Sequence, residues 1–168
     1  LVAEVICGLA LGFILRLFVF ALQVAGAIIA QATSLSQMFG GVAGEPSAAV
    51  GTVMLMAGLA LAMSFGLPTR MAEALILSYD ALPPGEIAPA SLIADWGVSH
   101  VAHAFSLAFS LSAPFVIASL LFNVALGVMN RAMPQLMVAF VGAPALTGGA
   151  LLLLMVALPV ILSLWWQS

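Results

Sequence analysis

"AAVGTVMLMAGLALAMSFGL", residues 48–67, is a run of twenty residues without a charge. A helix of about 20 apolar residues matches the roughly 30 Å hydrocarbon core of a bilayer. The stretch therefore reads as a spanning helix and puts the chain in the membrane class. The rest of the composition agrees. Of 168 residues, 65% are hydrophobic and only 5% charged, and the mean hydropathy is +1.30. A soluble domain is about a quarter charged, so there is too little polar surface here to solvate a globule. The net charge is −3, and the three basic residues, Arg16, Arg70 and Arg131, are scattered. That excludes the basic footprint of a nucleic-acid partner and gives no usable positive-inside count. Cys7 is the single cysteine, so an internal disulfide framework is excluded. The chain opens on Leu1 with no basic segment before the first apolar run, the pattern expected of a truncated or processed chain rather than an intact signal peptide.

Outward from residues 48–67, the apolar pattern divides the chain. Val5 to Ala30 is apolar apart from Arg16 and Gln23. Thr33 to Ser47 is rich in Ser, Gly and Gln, closes with Glu45-Pro46, and reads as a break. Thr69 to Tyr79 is amphipathic, with Arg70 and Glu73. Leu82 to Pro89 holds three prolines and a glycine and reads as extended or turned. Ser91 to Met129 is a long helical pattern that Pro114 should kink or split. Leu136 to Trp166 is the last apolar stretch, with Trp165 and Trp166 placed as interface anchors. No strand alternation and no internal repeat is present. The predicted fold is all-α, built of kinked apolar helical hairpins.

Small residues recur on these helices. Gly8 and Gly12 form G-x-x-x-G, and Gly51 and Gly58 stand a heptad apart. Such spacing lets helix backbones approach closely, either within the chain or against another subunit. On the first helix Glu4, Gly8, Gly12 and Arg16 follow at i, i+4, a slanted stripe that drifts about 40° per step. Glu4 and Arg16 are roughly 18 Å apart along the axis and cannot pair within that helix. The stripe, with Gln23 further along, therefore faces protein or a wet cavity rather than lipid. Three readings stand: pairing inside the bundle, a subunit contact or conduit, and a proton relay.

Enzyme chemistry has little to work with. His100 and His103 share a helix face at i, i+3, but the acid of an H-E-x-x-H zinc site is missing, and Val101 stands in its place. No Cys, Asp or Glu cluster supplies a third metal ligand, and no cofactor motif is present. No serine sits in G-x-S-x-G.

The polar cluster Asn130-Arg131-Ala132-Met133-Pro134-Gln135 is similar to the "R-x-x-P-Q" signature of the FliR family of flagellar export-gate proteins, which includes the equivalent subunit of injectisome type III secretion systems. Other segments follow in order. Glu4 to Phe13 resembles the family's "E-x-x-x-G-x-x-x-G-F", and Gln23 to Gly26 its "Q-x-x-G". Leu35-Ser36 resembles its "G-L-S" loop, Leu82 to Gly85 its "x-P-x-G", and Ala113-Pro114 its mid-helix "x-P". Departures are Glu45-Pro46 for "D-P", Gly66-Leu67 for "G-H", Met137 for the Asn of "P-Q-x-N", and apolar residues around Leu146 for a Lys. The lost His and Lys remove any role built on those groups.

The resemblance implies one FliR-like helical domain over residues 1–168, lacking the family's N-terminal helices. It implies a non-enzymatic subunit of a helical hetero-oligomeric export gate in the bacterial inner membrane and flagellar basal body. Its companions would be FliP-like and FliQ-like gate subunits with FlhB-like and FlhA-like export proteins, and its cargo unfolded flagellar subunits. It also implies helices held largely above the membrane plane, so that residues 48–67 need not span. The family's channel plug loop corresponds to residues 31–47, and Ser34, Leu35, Ser36, Gln37, Met38, Phe39, Gly40 and Gly41 suit that role. Met and Phe exclude water and repack, and non-helical backbone at such depth is tolerated where protein buries it or water lines it. Glu4, Gly8, Gly12, Arg16 and Gln23 are the expected subunit-contact or helix-packing residues. Glu45, Pro46, Pro114, Arg131, Pro134 and Gln135 are the expected caps and hinges, with Arg131 near a helix C-terminus, where a cation meets the carbonyl end. The alternative is a fragment of a polytopic small-solute or ion transporter. Broken helices and the Glu4 and Arg16 charges fit it, whereas the internal repeat common in transporters is missing.

Overall fold

The computed structural model describes residues 2–38, 47–81, 89–132 and 138–168. These form five helices: α1 (Val2–Met38), α2 (Ser47–Ser64), α3 (Leu67–Ala81), α4 (Ala90–Ala132) and α5 (Val138–Gln167). No strand occurs among the described residues, and the all-α class expected from the sequence holds. In apolar surroundings backbone N–H and C=O groups must pair within their own segment, which favours long helices. By length and composition, Glu4–Thr33, Ala90–Ala132 and Pro144–Gln167 can each cross a membrane, and residues 50–79 can do so as a bent pair.

Two boundaries differ from the sequence reading. The break expected from Thr33 begins later, because α1 runs on to Met38. Ser34 to Gln37 include neither Gly nor Pro, and Thr33 Oγ1 donates to the Ala30 carbonyl at 2.9 Å, so its polar group is satisfied without leaving the helix. The opening run, residues 48–67, is not one helix. It stops at Ser64, and α3 leaves at 67° to α2. The cause lies just beyond the run. A proline ring at Pro68 would clash with the carbonyl of Ser64 four residues back. Gly66 takes a φ of +74°, the left-handed conformation that glycine adopts without strain. Its N–H donates to the Met63 carbonyl at 3.1 Å, and Arg70 N–H picks up the Gly66 carbonyl at 3.1 Å. By contrast, Pro114 does not split α4, which continues from Ala90 to Ala132 with that proline on an exposed face. The α4 start is held by the Pro89 carbonyl, which accepts from Leu92 N–H at 3.0 Å and Ile93 N–H at 3.2 Å.

The hub is α1, which packs most extensively on α4 and α2 and then on α5. Its buried row of Leu22, Ala25 and Ile29 meets Met54 of α2, Ala108, Leu111 and Phe115 of α4, and Leu154, Ile161 and Trp165 of α5. The crossing of α1 over α2 is backbone to backbone: a Cβ added at Gly26 would lie 2.7 Å from Gly51 Cα. Gly58 makes room for Leu22 and Trp165, and Gly142 for Leu126.

Of the two C-terminal tryptophans, Trp165 corrects the anchor expectation. Trp165 is core, 1% exposed. Its Nε1–H donates to the Phe18 carbonyl at 2.8 Å, and its ring stacks on Phe18 at 3.9 Å between centroids. Trp166 is half-buried at the α2–α3 elbow, stacked on Phe65 at 5.3 Å with the Arg70 guanidinium 5.3 Å over its ring.

Candidate functional site

The residues singled out on α1 share an exposed course. Glu4, Gly8, Gly12, Arg16 and Gln23 are all exposed, while Ala21, Leu22, Ala25 and Gly26 point into the bundle. A Cβ built on Gly8 or Gly12 meets no atom of the described residues within 4 Å. The close helix approaches inside the chain are made elsewhere, at Gly26, Gly58 and Gly142. The Gly8–Gly12 pair is thus a flat, backbone-exposing surface between two charged positions. Val5, Leu9 and Phe13 beside it are 54%, 69% and 40% exposed, so the surface around the stripe is apolar as well as flat.

The other expected residues are dispersed. Ser34, Leu35, Ser36, Gln37 and Met38 form the C-terminal end of α1. Phe39, Gly40, Gly41, Glu45, Pro46, Pro134 and Gln135 lie outside the described residues. Arg131 stands exposed in the last turn of α4. It stands on α4, whereas the candidate contact residues stand on α1.

Two cavities flank α4. The smaller, about 90 Å³, lies between α1 and α4 and holds His100 and His103 against Ile14, Leu17 and Phe18. His100 Nδ1 sits 2.8 Å from the Trp96 carbonyl. A carbonyl only accepts, so Nδ1 supplies the hydrogen of this bond. The His100 ring leans on Trp96 at 4.4 Å. No group of three or more metal-ligating side chains exists among the described residues. The larger cavity, about 250 Å³, lies between α4 and α5 around Phe115, Phe122 and Leu153. Its hydroxyls are spent on their own helices: Ser119 Oγ donates to the Val116 carbonyl at 2.9 Å and Thr33 Oγ1 to that of Ala30. Neither cavity brings a nucleophile, an acid and a base together.

Sequence reasoning missed Gly26, Gly66 and Trp165 as determinants. Each had a readable signal. Gly26 falls on the buried side of α1, four residues beyond Leu22. Gly66 precedes Pro68, the usual order at a helix stop. Trp165 lies four residues beyond Ile161 and eleven beyond Leu154, the period of one helix face.

The model of the family described as "Bacterial export proteins, family 1" matches residues 1–168. Over 164 residues the chain is 37% identical to the flagellar biosynthetic protein FliR of Caulobacter vibrioides, covering 96% of this chain and 65% of the relative. It is 31% identical to the protein of the same name from Aquifex aeolicus, covering 94% of this chain and 62% of that one. The corresponding Bacillus subtilis protein is 26% identical, with 94% and 63% covered. The chain thus spans a little under two thirds of the length of these relatives. No solved structure matches it significantly.

Proposed function

The chain belongs to family 1 of the bacterial export proteins, and from that membership we propose that it is a subunit of the flagellar type III protein export gate. In this reading it joins FliP-like and FliQ-like subunits in the bacterial inner membrane and flagellar basal body. Together they form the channel that passes unfolded flagellar proteins outward, with FlhB-like and FlhA-like proteins as further partners. It performs no covalent chemistry. The names of the FliR relatives support the flagellar assignment.

One observation of the chain itself carries the reading of a subunit. The Glu4–Gly8–Gly12–Arg16 course is exposed and apolar-flanked, and among the described residues nothing packs on its glycines. Small residues on an apolar helix favour close approach of another helix. A neighbouring subunit's helix laid along this course, with Glu4 and Arg16 meeting polar groups at either end, satisfies both features. The test is co-purification of the companion gate subunits with the full-length protein carrying Gly8→Leu and Gly12→Leu. Recovery of the companions should fall while the protein itself stays folded. Normal recovery would remove this course from the interface.

Within the same reading, the segment between α1 and α2 closes the resting channel. Met38 and Phe39 supply the water-excluding groups. Because α1 extends to Met38, the informative deletion is Phe39 to Gly44, which leaves that helix whole. Cells with an assembled gate carrying it should admit a small dye. Gates as tight as the parent would assign the seal to the companion subunits.

A further inference from the structure

We propose that the outer half of the α4–α5 pair, residues 116–132 with 138–147, swings as one unit on a hinge. The hinge runs from Pro114 on α4 to Gly148 and Gly149 on α5, and the cavity between the two helices gives it room.

The contiguous core takes in α4 only as far as Phe115 and α5 only from Leu154 onward. Beyond that level Ser119 and Leu146 are the only side chains buried among those described on the two helices. The cavity of about 250 Å³ lies at this edge, lined by Phe115, Ala118, Ser119 and Phe122 on one side and by Leu146, Gly149 and Leu153 on the other. The outer half is thus tied to the rest of the molecule by little except its own two backbones. Within itself it is tight: a Cβ added at Gly142 would lie 2.8 Å from Leu126 Cδ1. That contact makes the two outer arms move together.

Both backbones are weak beside the cavity. Pro114 has no N–H, so α4, although continuous there, loses its bond to the Ser110 carbonyl. Ser110 Oγ donates to the Ser106 carbonyl at 2.8 Å, a contact of the kind that bends helices. The proline ring crowds the Ser110 carbonyl and opens the helix on its own exposed side, so a bend closes on the far side. Phe115 and Ser119 stand about 100° and 140° round the helix from Pro114, and both line the cavity. On α5, Gly148 and Gly149 are adjacent and exposed, and a Cβ on either meets no atom of the described residues within 4 Å. Packing among these residues therefore does not call for glycine at either position. What the pair supplies is a backbone that gives way, and prolines and glycine pairs are where helices bend. The swing carries Arg131, in the last turn of α4, relative to the core.

The inference does not rest on the export-gate reading, and its test is a distance distribution. Nitroxide pairs are placed on the full-length protein in detergent, in a Cys7→Ala background, and read by pulsed electron paramagnetic resonance. Met56→Cys with Val128→Cys spans the hinge, and Met56→Cys with Val98→Cys stays on the core side of it; all three side chains are exposed. The spanning pair should give a distribution about twofold wider than the core pair, as a hinged unit does. Pro114→Ala combined with Gly148→Ala and Gly149→Ala returns an N–H to the Ser110 carbonyl and places each new methyl in open space. That variant should narrow the spanning pair to the width of the core pair. Ala150→Leu, which fills the cavity from α5, should narrow it as well. A spanning pair as narrow as the core pair in the parent protein would overturn the hinge. So would a width that neither variant changes, or a core pair as wide as the spanning one.

Discussion

Gly26 and Gly8 are the same residue type on the same helix with opposite surroundings. At Gly26 an added methyl would press on Gly51 Cα at 2.7 Å, and backbone cannot step aside as a side-chain tip can. Gly26→Ala should therefore destabilise the protein by about 1–3 kcal/mol through overpacking. Gly8→Ala meets nothing within 4 Å and should leave stability unchanged or raise it by up to about 1 kcal/mol of helix propensity. Denaturant unfolding in detergent micelles reads both, and equal stability of the two variants would mean that the α1–α2 crossing is not tight. Trp165 is a second single-residue determinant. Trp165→Phe keeps the stack on Phe18 but removes the 2.8 Å bond to the Phe18 carbonyl, a loss of about 1 kcal/mol. Trp165→Ala also opens a cavity and should cost about 3–5 kcal/mol. The same unfolding series ranks the two, and a Trp165→Ala variant no weaker than Trp165→Phe would deny the ring its place in the core. The G-x-x-x-G spacing was legible in the sequence, but not which glycines are used inside the chain. That depends on which face each helix turns to its neighbour, and α1 is apolar on nearly every face. For the same reason two adjacent tryptophans read as a matched pair of anchors, although neighbours about 100° apart on a helix cannot share one environment.

The existence of helices was plain from hydropathy, and the order of the apolar stretches survives in the structure as α1, α2, α4 and α5. Boundaries were harder. Hydropathy does not register backbone geometry, so residues 48–67 look continuous although Gly66 and Pro68 break them. The opposite error occurred at Thr33, where polar composition suggested a loop and the helix simply continues. Serine is poor evidence against a helix when its side chain can bond the preceding turn, as those of Ser64, Ser78, Ser99 and Ser163 all do. The elbow makes its own prediction. Gly66→Ala forces a left-handed conformation on a residue with a Cβ, at about 1–2 kcal/mol, and loosens the contact of Phe65 and Arg70 with Trp166. Its thermal midpoint should fall. A midpoint equal to the parent's would show that the elbow tolerates an ordinary residue and that the positive φ is not required.

At the scale of the whole molecule, the chain does not close on itself. It exposes 10805 Å², against roughly 7,800 Å² for a compact soluble monomer of this mass, and large apolar side chains stand exposed on every helix, most of them on α4 and α5. Its core is a narrow seam along α1 rather than a centre. The candidate contact residues were legible as a course on one helix, because i, i+4 spacing survives any packing. What such a course would meet on another molecule leaves no trace in this chain's own pattern. In the proposed gate, the Gly8–Gly12 course is where this chain meets another subunit. The decisive experiment replaces Gly12 with a photo-crosslinking amino acid in the full-length protein in flagellated cells, with the same replacement at Glu73, exposed on α3, as control. Light-dependent adducts are expected from position 12 to a companion export-apparatus subunit, and none of these from position 73. Adducts from position 12 to lipid alone, or to this same chain alone, would contradict that placement.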